Sequence, residues 1–138
     1  MRAPNSDEEA ALRKVMASFH RRSQHAVPPT VASLIAEWAR FVQEVEVGYA
    51  CSIYGYTNDL STRDLLDELI ERGPSSLAVE IERELEPWDD RYRVATRPSK
   101  RPLLPGPDVA DKPRWHRMPR NLHGELLADL IADGLIRP

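Results

Sequence analysis

Apolar residues recur along most of this chain at spacings of three and four, the period of helices with one buried face. The clearest stretch is Val31, Leu34, Ile35, Trp38, Phe41, Val42 and Val45, with Glu37, Arg40, Gln43, Glu44 and Glu46 between them. That pattern predicts a helix capped by Thr30 and ended by Gly48, with two aromatic rings on its buried side. Before it, Leu12, Val15, Met16 and Phe19 form a first stripe. Ser6 and Glu9 precede that stripe at capping-box spacing, and the helix is expected to fade near Arg22. Ser23 to Pro29 reads as a loop, because Pro28 and Pro29 force extended backbone ahead of them.

Tyr49 to Asn58 has no clean period and reads as a turn that can hold a short helical piece. Asp59 or Ser61 is then positioned to cap a third helix carrying Leu65, Leu66, Leu69 and Ile70 and stopping at Arg72-Gly73-Pro74. A fourth helix is expected from Ser75 or Ser76, with Leu77, Ile81, Leu85, Trp88 and Tyr92 facing inward. Pro87 removes one of its hydrogen bonds, and the matched apolar spacing on both sides favours a kink over a break. Trp88 is expected to anchor the core, so that Trp88→Ala costs about 3–5 kcal/mol.

From Arg97 to Arg120, six prolines punctuate a stretch with no helical stripe, which predicts extended chain or turns. A large indole gains little in water, so Trp115, with Leu103 and Leu104, is expected to dock this arm on the body. Asn121 is positioned to cap a last helix bearing Leu122, Leu126, Leu127, Leu130 and Ile131, closed by Gly134. The fold class that follows is all-α: an irregular bundle of about five helices with an extended, proline-rich basic segment (97–120) before the last helix. Residues 1–138 are read as a single helical domain, a length that suits one core.

Charge sharpens this picture. The net of −3 hides eleven acids against three bases over residues 59–90, followed by nine bases against two acids over 91–120. Adjacent blocks of opposite sign attract, so the arm's arginines are expected over the acidic third and fourth helices. Arginine outnumbers lysine, a bias consistent with a GC-rich bacterial genome, and it carries no structural conclusion. The polar N-terminus lacks the apolar centre of a secretory signal, and no run approaches the roughly 20 apolar residues of a membrane span. The expected location is cytoplasmic, without a membrane partner.

Candidate chemistry is sparse. Cys51 is the single cysteine, which excludes an intramolecular disulfide and a thiolate zinc cluster, and it is read as a small half-buried hydrophobe. His20 and His25 lie five apart and His116 and His123 seven apart, neither of them the spacing of three or four that brings two imidazoles together on adjacent turns of one helix face. No phosphate loop, His-Glu-x-x-His, nucleophile elbow or calcium loop is present, so no metal, cofactor or catalytic residue is assigned, and the chain is read as a binding protein before an enzyme.

One constellation stands out: Tyr49, Tyr54, Tyr56, Asn58, Asp59, Arg63 and Asp64, where Arg63 can pair with Asp59 at i, i+4. Read blandly, it is a capped helix start with tyrosines packed on the second helix. Read functionally, it is a recognition surface, since tyrosine and arginine dominate interface hot spots. The candidate binding residues are therefore Tyr49, Tyr54, Tyr56, Asp59, Arg63, Asp64, Trp115 and Arg117. The expected function is a small protein-interaction module, of an inhibitory or immunity-partner type, that binds a protein or itself. Two alternatives stand beside it. The basic arm 91–120 could grip nucleic acid through Arg97, Lys100, Arg101, Arg114, Arg117 and Arg120 with Trp115 stacking on a base. Alternatively, a Tyr/Asp/Arg site near residues 49–64 would make the chain a small enzyme.

Overall fold

The computed structural model describes residues 2–18, 29–104 and 111–137. Among them are five α-helices: α1 (Ser6–Ser18), α2 (Val31–Val47), α3 (Ile53–Arg72), α4 (Ser75–Ala95) and α5 (Gly124–Ala132). Two short strands, β1 (Thr96–Pro98) and β2 (Arg117–Pro119), and a 3-10 turn at Pro113–His116 lie between α4 and α5. The all-α bundle expected from the periodicity is the observed architecture.

α3 forms its centre, packed against α1, α2, α4, α5 and the 3-10 turn. That position explains the main departure from expectation. The segment read as a turn is the first part of α3, which starts at Ile53, not at a cap on Asp59 or Ser61. Ile53, Tyr56 and Leu60 are buried at helical spacing, but Thr57, Ser61, Thr62, Arg63 and Asp64 are buried as well. A helix enclosed on nearly every side has no polar face to reveal its period. Its hydroxyls are satisfied by turning back on the helix: Thr57 donates to the Ile53 carbonyl at 3.0 Å and Ser61 to that of Thr57 at 3.2 Å. Its free first amides are taken by Ser52, whose hydroxyl accepts from Gly55, and by Asp129 of α5, which accepts from the Ile53 amide at 2.9 Å.

α2 matches its stripe. Val31, Leu34, Trp38, Phe41, Val42 and Val45 are buried, and Ile35 is partly so. Thr30 and Ser33 cap it reciprocally, and Gly48, at φ 128°, ends it. In α1 the box is shifted one residue upstream, to Asn5 and Glu8, which exchange bonds at 2.9 and 3.0 Å. Glu8 has further partners: Arg2 donates to both its oxygens at 2.8 Å and the Ser76 hydroxyl donates at 2.5 Å. Leu12 and Val15 are buried and Met16 packs beside them. Phe19, the fading near Arg22 and the loop from Ser23 to Pro28 lie outside the described residues.

α4 begins at Ser75 behind Pro74, whose side chain has no acceptor to cap it, while the Ser76 hydroxyl donates to Glu8. It continues through Pro87 to Ala95, so the proline does not break it. Trp88 is not the core anchor expected. It is only partly buried, with the Arg91 guanidinium 4.4 Å from its ring centroid, while Trp38 is fully enclosed. The position of α4 over α2 turns Tyr92 inward and leaves Trp88 at the margin.

The arm returns on itself. β1 and β2 pair antiparallel, with Thr96 opposite Pro119, Arg97 opposite Met118 and Pro98 opposite Arg117. This pairing was not expected from the sequence, and prolines in both strands, which cannot donate, keep it short. Trp115, Leu103 and Met118 are buried and Leu104 is half-buried, so the arm does lie against the body through its indole. α5 starts at Gly124, not at a cap on Asn121, because the backbone of 122–125 runs beside Tyr49 and Ala50 first. It ends as expected: Gly134 (φ 75°) donates to Ile131 and Leu135 to Leu130, with Leu135 buried.

Candidate functional site

The tyrosine-rich constellation splits into an interior part and a single surface residue. Tyr49 and Tyr56 are buried, with ring centroids 5.3 Å apart, in an aromatic cluster that includes Trp38, Phe41 and Tyr92. Tyr56 and Tyr92 join their hydroxyls at 2.8 Å, and Tyr92 donates onward to the Arg114 carbonyl at 3.1 Å. Burial raises both phenols well above the ordinary tyrosine value. Tyr54 alone faces solvent, at 69% exposure.

Asp59 does not pair with Arg63. It accepts from the Tyr49 hydroxyl at 3.0 Å, and Arg63 turns to the other side of α3. Burial pushes Asp59 above the ordinary carboxylate value. The Tyr49 bond works against this, while the charges of Glu44 and Glu37 add to it. Burial and the nearby Asp59 charge raise Tyr49 in turn. Tyr49 and Asp59 thus form one bonded pair, and Arg63 belongs to a separate group with Asp67 and Asp89.

Arg63 instead sits at the middle of a polar chain through the body. Its Nε and Nη2 donate to Asp89 at 3.0 and 2.8 Å, and its Nη1 donates to Asp67 at 2.7 Å. The Trp38 indole donates to the same Asp89 at 2.9 Å, and Arg114 donates to Asp67 at 2.8 Å. Burial opposes the guanidinium's charge, but the Asp89 bond and the Asp67 charge outweigh it and hold Arg63 more firmly protonated than usual. Asp64 receives the Trp115 indole at 2.9 Å and Lys112 at 3.3 Å. Helix spacing could have found the Arg63–Asp67 pair at i, i+4. Nothing local in the sequence points to Asp89, 26 positions away.

Arg117 is also structural. It donates to the Thr96 hydroxyl at 2.8 Å and to the Arg93 and Thr96 carbonyls at 3.0 Å. Arg120 follows with the Val94 carbonyl (3.2 Å), Asn121 with that of Val47 (2.6 Å), and His123 Nε2 with that of Gly48 (2.7 Å). The segment 117–123 thus covers the C-terminal carbonyls of α4 and α2, where positive charge is favoured. With Trp115 buried, its ring is not offered to a nucleic-acid base.

No family model, curated protein or solved structure matches the chain. Among the described residues, no group of three His, Cys, Asp or Glu side chains is arranged to hold a metal ion, and no helix is long and apolar enough to cross a membrane. Cys51 is exposed, not half-buried, because the link after Gly48 turns it outward at the rim of a cleft.

Two surface cavities adjoin the candidate residues. One, of about 410 Å³, lies between the start of α3, α5 and the arm, with Tyr54, Arg101, Leu104, Asp129 and Asp133 in its walls and Leu103 below. Arg101 donates to the Asp133 carbonyl, which fixes the arm along this edge. The other, of about 360 Å³, lies at the end of α2 beside Arg40, Glu44, Val47, Tyr49 and Cys51. Sequence reading placed Tyr54 among the binding candidates. It named Arg101 only as a phosphate contact of the arm and missed Asp133; both meet Tyr54 only through the packing of the arm and α5 on the start of α3.

Proposed function

We propose that this chain is a protein-interaction module, of the inhibitory or immunity-partner kind, and that it contacts its partner through the groove at Tyr54. The observation that carries this reading is Tyr54 itself. It is a large aromatic side chain held 69% exposed on a rigid helix start, beside Arg101 and the half-buried Leu104. Tyrosine and arginine around an apolar floor are the residue types that concentrate binding energy in protein interfaces. The carboxylate of Asp133 on the rim favours a partner that brings a basic side chain next to an apolar anchor, with charge speeding the encounter.

The rest of the constellation supports this division of labour. Tyr49, Tyr56, Arg63, Asp64, Trp115 and Arg117 are committed to internal bonds that tie α3, α4 and the arm together, while Asp129 ties α5 to the start of α3 beside the groove. The test is affinity purification from the native host with wild-type protein and with Tyr54→Ala. A stoichiometric protein recovered by the wild type, and lost with Tyr54→Ala at unchanged helical content, is the expected result. Recovery of no stoichiometric partner, or equal recovery by both, refutes it.

A further inference from the structure

The outward side chains of α2 face solvent, although Asn121 bonds to the Val47 carbonyl and the charges of Arg40 and Glu44 reach Asp59. Ala36, Arg40, Gln43, Glu44 and Val47 are all exposed, Val47 at 76%. Arg40 and Glu44 lie one turn apart, yet among the described residues neither makes an ion pair or a side-chain hydrogen bond. Arg91, Arg93, Arg114 and Lys112 all find carboxylates elsewhere in the molecule.

The order of these residues matters. Ala36, Arg40, Gln43 and Val47 follow one another at steps of four, three and four, a spacing that reads the same in both directions about a centre between residues 41 and 42. A two-fold axis through that centre lays a second α2 antiparallel on the first. It sets Arg40 against Gln43 and Glu44 of the other copy, and Ala36 against Val47, each contact occurring twice. Parallel packing would set like charges together. The same symmetry carries the Ala32-Ser33 turn of one copy to residues 50 and 51 of the other. There the cleft of about 360 Å³ runs from Arg40, Gln43 and Glu44 past Val47 to Tyr49, Ala50 and Cys51. Ala32, Ser33 and Ala36 are small and exposed, as close approach of two helix backbones requires.

We infer that the outward face of α2 pairs with the same face of a second copy of this chain, antiparallel, with Arg40 and Glu44 exchanged across the two-fold. This surface is distinct from the Tyr54 groove, and the inference stands independently of the partner proposed for it.

Sedimentation equilibrium at low ionic strength tests it, on the wild type, Arg40→Glu, Glu44→Arg and the double exchange Arg40→Glu/Glu44→Arg. Each single change puts like charges across the axis and should weaken the dimer about tenfold or more. The double exchange rebuilds both pairs in reverse and should return the affinity to within about threefold of wild type. Both side chains are exposed, so circular dichroism should stay constant throughout. A second measurement reads the axis directly. Gln43→Cys in a Cys51→Ser background should form a disulfide-linked dimer on mild oxidation, whereas the native Cys51, nine residues from the axis, should not. A wild-type chain that stays monomeric to about millimolar concentration overturns the inference. A dimer indifferent to both single changes, or not rescued by the double, overturns it equally.

Discussion

Removing the guanidinium of Arg63 should be among the most costly single changes in this protein, and the structure sets the size of the effect. The side chain is 6% exposed and bridges Asp89 and Asp67, which are 28% and 42% exposed. Deleting one member of a fully buried ion pair costs about 3–5 kcal/mol, because the survivor keeps its charge without a partner. Here both survivors reach water and keep one donor each, Trp38 for Asp89 and Arg114 for Asp67. Hydration and those remaining bonds lower the expectation for Arg63→Met to about 2–3 kcal/mol. That is a large share of the roughly 5–15 kcal/mol that holds a domain folded. Urea unfolding followed by circular dichroism measures it, with an unchanged slope confirming that the native state is otherwise intact. Arg63→Lys provides the control. An ammonium keeps the charge but cannot span two carboxylates with a planar fork, so about 1–2 kcal/mol should still be lost. If Arg63→Met is destabilised by less than about 0.5 kcal/mol, the polar chain is ornament on a core held by apolar packing alone.

Two further outcomes follow from the geometry. Asp59 is raised by burial, so the folded state binds its proton more tightly than the unfolded chain does. Its contribution to stability is therefore greatest at acid pH and is lost as pH climbs from about 4 through the raised value. Asp59→Asn, which still accepts from Tyr49, should flatten that part of a pH-dependent urea series. A wild-type profile identical to the variant's refutes the assignment. Gly124 and Gly134 both have positive φ, at 65° and 75°, but a β-carbon at Gly124 would lie 2.7 Å from the Ala50 carbonyl oxygen, whereas at Gly134 nothing lies within 4 Å. Gly134→Ala should cost about 1–2 kcal/mol for the left-handed backbone alone, and Gly124→Ala clearly more because backbone must also move. Equal midpoints for the two variants in thermal melts count against this account of how α5 packs.

How much of this could be read from the residues depends on how each element is exposed. α2 lies on the outside of the bundle with one buried face, so its apolar stripe, its Thr30 cap and its Gly48 stop were all legible. α3 carries the same kind of information but is enclosed, and Thr57, Ser61, Arg63 and Asp64 in its buried surface erased the period that would have started it at Ile53. The two tryptophans at 38 and 88 both sit at inward spacing on their helices. Only the placement of α4 over α2 decides that Trp38 is fully enclosed while Trp88 remains at the edge. Charge blocks foretold that the arm's arginines would lie over the acidic helices, and Arg114 on Asp67 is one instance of it. They could not foretell that Arg117, Arg120 and Asn121 would bond to backbone carbonyls, because every residue has a carbonyl and composition does not mark the one that is free. Of the candidate site, Tyr54 was legible as a residue type. Its neighbours in the groove come from two other stretches of chain, 101–104 and 129–133, which no local pattern relates to it.

The consecutive residues Arg120 and Asn121 hold the carbonyls of Val94 and Val47, the last turns of two helices far apart in the chain. Because one peptide unit joins the two grips, the axial offset between α4 and α2 is gauged at that end as if by a caliper. A slide of one residue along either helix is 1.5 Å, enough to stretch one of the two bonds beyond its working range. Lengthening the chain between residues 120 and 121 by a single glycine would uncouple the two grips, so that each bond could form without fixing where the other helix ends.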